Sequence, residues 1–224
     1  MFRDRADAAR RLAAALQGRE LRAPLVLGIP RGGVVLGAVL ARELGAELDV
    51  VLARKLRSPD NPEVAVGAVS ETGEVYLNHY AEENWEAWQD HLAREIQHQQ
   101  AEIARYRELF RAIRPQVPVA GRSVILTDDG IATGSTMLAA IHVLRAQSPH
   151  ELILAVPVAV PDALQAIGLQ CDHVVCLHAP EHFLAIGYFY QDFAQVSDEE
   201  VLELLRGVSP RDNDLEITTQ ATSP

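Results

Sequence analysis

Cysteine is nearly absent from this 224-residue chain: Cys171 and Cys176 are the only two, too few for a disulfide framework. Basic charge is scarce as well. Lys and Arg number 20 against 31 Asp and Glu, a formal net charge of −11, which argues against a nucleic-acid or anionic-membrane binder because such partners are held through dense Lys and Arg. Any anionic ligand must therefore be held locally. Long hydrophobic runs are missing too. The longest, LILAVPVAV (152–160), contains a proline and is far short of the roughly 20 residues that span a bilayer. The first residues, MFRDRADAARR, carry charges and no apolar segment of a secretory signal. A reduced, cytoplasmic protein is expected.

What remains is ordinary globular composition, 48% apolar and 23% charged, in a length that suits one domain. That domain is expected over 1–206, with the polar residues 207–224, ending ITTQATSP, as a disordered tail. Short apolar runs alternate with helical patterns. Strands are expected at PLVLGI (24–29), ELDVVLA (47–53), SVILTDD (123–129), ELILAVPVAV (151–160) and DHVVCL (172–177), and a hairpin at 64–78 with Gly73 in its turn. Apolar strands separated by helices imply a parallel sheet covered on both faces, an α/β fold with three layers and ligand sites at the carboxyl ends of the strands. Between Ala81 and Ile113 there is no glycine or proline, and Trp85, Trp88, Leu92, Ile96, Gln99, Ile103, Tyr106, Phe110 and Ile113 recur at steps of three and four. One long helix, about 50 Å at 1.5 Å per residue, is expected there. Its stripe fits either packing on its own domain or an arm toward a partner subunit.

The densest chemistry lies in VILTDDGIATGSTM (124–137). Gly130 and Gly134 allow a tight turn, the amides of Ala132, Thr133, Gly134, Ser135 and Thr136 can converge where the next helix begins, and three hydroxyls add donors. That is a cradle for one phosphate. It is not a triphosphate loop, because its glycines are three residues apart rather than four and the lysine is missing. Asp128 and Asp129 precede it and point to opposite sides of a strand end. They suit hydrogen bonds from vicinal hydroxyls and a hydrated Mg²⁺ better than a paired acid and base. A sugar phosphate satisfies both halves of the string.

This string resembles the phosphoribosyl pyrophosphate (PRPP) signature of type I phosphoribosyltransferases: four apolar residues, two acids, then a Thr-Gly-x-Thr loop. The resemblance implies that Pro30, Arg31, Gly32 and Gly33, the turn after the first strand, contact pyrophosphate. It implies further that Arg54 and Lys55, ending the second strand, lie near the diphosphate, and that the hairpin is the loop closing over the reacting centre. Asp128, Asp129, Arg54 and Lys55 are then the catalytic set. The segment CDHVVCLHAPEHFLAIGYFYQDF (171–193) is similar to the base-binding hood of hypoxanthine-type members (about 171–206), with Asp192 in place of an acid near the pyrophosphate and a third metal-ligand candidate beside Asp128 and Asp129. Two positions depart from that pattern: the base-stacking aromatic falls on Cys176, and the loop carboxylate falls on Ala132.

Over roughly residues 1–206 the chain is most similar to bacterial phosphoribosyltransferases of unassigned substrate. The resemblance implies Mg²⁺ as cofactor, PRPP and a nitrogenous base as substrates, and a homodimer. The rival from another class is a PRPP- or nucleotide-sensing module without turnover. A further cluster, Cys171, His173, Cys176, His178 and His182, has zinc-ligand chemistry, but along a strand 171 and 173 would face away from 176 and 178.

Overall fold

Along the central strands the burial alternates between two cores. A computed structural model of the chain describes residues 1–62 and 64–207; the expected tail beyond 207 lies outside them. β1 (Leu25–Gly28), β2 (Glu47–Val50), β6 (Ser123–Thr127), β7 (Glu151–Val158) and β8 (His173–His178) form a parallel sheet in the order β2-β1-β6-β7-β8. Val26, Ile125, Ile153 and Ala155 share a core with α1 (Arg5–Leu16), α2 (Gly32–Leu44) and α7 (Asp198–Gly207). Their neighbours Leu25, Leu27, Val124, Leu126, Leu152, Leu154 and Val156 pack with α5 (Ser135–Ala146) and α6 (Pro161–Gly168). Both faces being covered, the strands read as near-continuous apolar runs, the pattern of a parallel sheet in a three-layer fold.

The strand order reverses between β1 and β6. From β1 the chain moves outward to β2 on one side and later returns to the other side as β6, so the turns after these two strands flank an open crevice. Those turns are the two glycine-rich stretches, 29–33 and 128–134.

The second strand is shorter than expected. It leaves the central sheet after Val50, and Ala53–Arg57 becomes β3 of a separate antiparallel sheet with β4 (Ala65–Ser70) and β5 (Val75–Leu77). Arg54 and Lys55 therefore sit within a strand rather than at the end of one, paired across from Val69 and Ala68. The expected hairpin is β4–β5, with Gly73 at φ +86° in its turn. Ala68 packs on Ala139 and Val143 of α5, which holds the small sheet beside the large one.

The long helix is interrupted. α3 (His79–Glu83) is capped by Asn78, whose side-chain oxygen accepts from the Ala81 amide at 2.9 Å. Asn84 turns the chain, its side chain donating to the Tyr80 carbonyl at 2.8 Å. α4 (Trp85–Arg111) follows, with 27 residues and a length of about 40 Å. An asparagine that bonds its own backbone competes with the helix ladder, which accounts for the break. Trp88, Leu92, Ile103 and Phe110 of its stripe are buried against the body of the domain. Among the described residues no helix is long and apolar enough to cross a membrane.

Candidate active site

Apolar β6 carries the chain to its carboxyl end and releases Asp128 and Asp129 into the crevice. The carboxylate of Asp128 accepts from the amides of Asp129, at 2.8 Å, and Gly33. Burial and then the neighbouring Asp129 charge push its pKa well above the usual carboxylate range. Asp129 is bound differently. Arg5 of α1 donates to its Oδ2 from Nε at 3.1 Å and from Nη2 at 2.9 Å. Burial raises the Asp129 pKa as well, and the guanidinium opposes that rise. The two acids thus hold different environments, one held by amides and one in an ion pair.

The turn after β1 lies against this pair, and only glycine fits it. A Cβ on Gly33 would stand 2.6 Å from the Thr127 carbonyl oxygen, and one on Gly32 would stand 2.0 Å from Asp129 Oδ2. The Pro30–Arg31 peptide is cis. Across the crevice, Gly134 adopts φ +76° at the start of α5, where a side chain would be strained and would strike Ile167. Among the described residues no side chain caps this helix. The first amides of a helix lack internal acceptors and form the positive end of its dipole, so the uncapped N-terminus of α5 can receive an anion. Ser135 is buried, whereas Ala132, Thr133 and Thr136 are exposed. The predicted cradle therefore presents two hydroxyls outward.

A cavity of 320 Å³ adjoins the cradle, lined by Pro30, Arg31, Arg54 and Thr136 with Ile103 and Tyr106 of α4. The structure thus brings residues of the 30–33 turn, the predicted phosphate cradle and the basic pair to one place. Lys55 is not among the residues lining that cavity; successive residues of a strand face opposite sides, and Arg54 takes the inner one. Asp192 is exposed, and its Oδ1 accepts from the Ala194 amide at 3.1 Å. Among the described residues no three acidic, His or Cys side chains are grouped to hold a metal, so Asp128, Asp129 and Asp192 do not form one ligand set. Cys171 lies before β8 rather than in it, so strand alternation does not reach it, and it packs on the same core as Cys176. His173 pairs instead with Glu151 at 3.7 Å.

Several residues at the site carry no local sequence signal. Arg5 also donates to the Ala194 carbonyl at 2.8 Å and lies 3.9 Å from the centre of the Phe193 ring. Tyr190 donates to the Asp129 carbonyl at 2.7 Å. Phe2 pairs with Tyr190 as a one-residue parallel bridge. The N-terminal segment therefore ties the hood to the acid pair, and Ile186 of a short 3-10 turn (Ile186–Phe189) closes over Gly130. Asp198, at the start of α7, stands 4.0 Å from Arg31 and 3.9 Å from Arg105.

Residues 3–186 match the family described as the phosphoribosyl transferase domain, most of the chain. The chain belongs to the phosphoribosyl transferase domain family. It is 41% identical over 208 residues to two Mycobacterium tuberculosis proteins, "Putative phosphoribosyl transferase Rv0571c" and its strain counterpart MT0597, an alignment covering 92% of this chain and 46% of theirs. The chain therefore spans about half the length of these curated relatives. The crystal structure of TT1426 from Thermus thermophilus is similar throughout, with a TM-score of 0.88, 45% identity, and coverage of 93% of this chain and 99% of that one. Within the phosphoribosyl transferase fold, the crevice between the turns after β1 and β6 coincides with the predicted PRPP string. The two departures keep their places: Ala132 is exposed in the phosphate loop, and the Cys176 thiol is turned to the His178 carbonyl at 3.3 Å.

Proposed function

We propose that this chain transfers the phosphoribosyl group of PRPP to a nitrogenous base and releases pyrophosphate. The observation that carries the reading is the convergence, on one crevice, of an acid pair, an uncapped helix N-terminus and the guanidinium-lined cavity. A sugar bearing phosphate at one end and diphosphate at the other needs all three. The 5′-phosphate is assigned to the 132–136 amides and hydroxyls, the ribose hydroxyls to Asp128 and Asp129, and the diphosphate to Arg31, Arg54 and the 30–33 turn. Breaking the C1–oxygen bond leaves positive charge on the sugar and negative charge on the leaving group; the carboxylates favour the first and the guanidiniums the second. The incoming nitrogen forms the new bond to C1 as the C1–oxygen bond breaks, and its proton passes to the departing pyrophosphate or to water.

Mg²⁺ fits this donor set, because it keeps waters and takes one or two carboxylates plus substrate oxygens rather than a closed protein cage. Asp128, bonded by amides instead of a guanidinium, is the residue that would hold it, and the ion would neutralise the diphosphate. A second reading, a PRPP-binding sensor, is favoured by two features: Ala132 leaves the phosphate loop without a carboxylate to act as base, and Cys176 stands where a base-stacking aromatic is expected.

The deciding experiment is pyrophosphate release from PRPP and Mg²⁺ with pooled purine and pyrimidine bases beside a no-base control. Base-dependent release is expected. Absence of release with PRPP still raising the melting temperature would make the chain a sensor, and absence of both would reject PRPP as the ligand.

A further inference from the structure

We infer that Tyr106 of α4 is a positioning residue for Arg54, holding that guanidinium ready for the leaving diphosphate; this rests on the PRPP reading above. Among the described residues the Arg54 side chain makes no hydrogen bond or ion pair, and its partner is the Tyr106 ring, 5.5 Å from guanidinium carbon to ring centre. Both line the same cavity as Arg31 and Thr136. An arginine left alone at a cavity rim samples many rotamers, and fixing it costs entropy when the ligand arrives. A ring within cation–π reach of the guanidinium removes part of that cost beforehand. It also leaves the in-plane N–H groups free, which a carboxylate partner would occupy, and those are the donors that a phosphate takes two at a time.

The ring is itself held. Tyr106 stacks on Phe110 with centres 5.7 Å apart and planes at 27°, and Phe110 is fully buried. Ile103, one turn earlier, is buried and lines the same cavity. The Arg105 guanidinium lies 5.6 Å from the centre of the Tyr106 ring and reaches toward Asp198, which in turn faces Arg31. One turn of α4 thereby supports the cationic edge of the site from outside the sheet. The helix is more than packing for the domain; it sets the geometry of the diphosphate end.

Calorimetric binding of inorganic pyrophosphate, with Mg²⁺ present, tests this on the full chain. Tyr106→Leu should weaken binding about threefold to tenfold, the size of a partly desolvated cation–π contact. Tyr106→Phe, which keeps the ring, should stay within about twofold. In an Arg54→Met background Tyr106→Leu should add little further loss, because the two residues then act as one unit. Unchanged binding in Tyr106→Leu would overturn the inference, and so would an equal loss with and without Arg54, which marks a merely structural role. If the wild-type chain bound neither pyrophosphate nor PRPP, the PRPP reading and this inference would fall together.

Discussion

Replacing Arg5 by Met is the perturbation that most directly tests how the acid pair is held. The guanidinium gives two hydrogen bonds to one oxygen of Asp129, a third to the Ala194 carbonyl, and stacks on Phe193, with side-chain exposures of 10% for Arg5 and 15% for Asp129. Methionine preserves much of the apolar stem but leaves the Asp129 carboxylate buried without its cation. Removing one partner of a buried pair costs about 3–5 kcal/mol, a large share of the 5–15 kcal/mol or so that stabilises a typical domain. At roughly 2–4 °C per kcal/mol for a chain of this size, the melting temperature should fall by roughly 6–20 °C. The double variant Arg5→Met with Asp129→Asn should recover part of the loss, because the stranded charge is gone. PRPP affinity should drop in the single variant, since Arg5 also fixes the hood segment at 193–194. Differential scanning calorimetry and isothermal titration read both effects. A fall of less than about 2 °C, with PRPP affinity unchanged, would show that the pair is a spectator and refute the reasoning.

Gly33→Ala should abolish PRPP binding while the chain still folds, because its methyl would meet the Thr127 carbonyl at 2.6 Å and push the 30–33 turn off the end of β6; titration against PRPP alongside circular dichroism checks it. The Cys171 thiol is pushed up to about 11 by burial, so labelling by a disulfide reagent at pH 8 should be slow in the native protein and fast in denaturant. Rapid native labelling would contradict that burial. Asp172 has its pKa lowered: burial opposes ionisation, but the Leu152 amide at 2.7 Å, and Arg145 at 2.8 Å, outweigh it. A depressed folded pKa stabilises above the unfolded value of about 3.9 and is lost as pH falls through the folded one. Asp172→Asn should therefore cost under about 1 kcal/mol at pH 7, with a smaller cost as the pH falls below about 3.9, by urea denaturation at pH 7 and in acid.

The glycine-rich turn before α5 was legible because its geometry is local. Gly134 needs φ +76°, and the acids, glycines and hydroxyls that surround it stand within nine residues, 128–136. The turn at 30–33 was legible for the same reason, although the sequence does not show that Gly32 and Gly33 are glycines because Asp129 and Thr127 lie against them. Misreadings came where tertiary contacts outweigh local pattern. ELDVVLA has the composition of one strand, yet the chain leaves the sheet at Val50, where Asp49 is buried and bonded to Arg111 at 2.7 Å and to the Val117 amide at 2.9 Å. The stripe from Trp85 onward belongs to a run of helix-favouring residues that crosses Asn84, but the asparagine side chain bonds the preceding turn and divides the helix.

Period, turn chemistry and residue type are properties of neighbours in the chain, so the sequence by itself determined the α/β layering and the strand-end placement of the acid pair and its glycine-rich loop. Arg5 meets Asp129 across 124 residues, and Arg54 meets Tyr106 across the small sheet and the helices that follow it. Such meetings depend on how the elements pack, and packing is decided by summed burial over the whole domain. Only the tertiary structure could decide which acid is ion-paired, which of Arg54 and Lys55 turns inward, and that α4 forms a wall of the site.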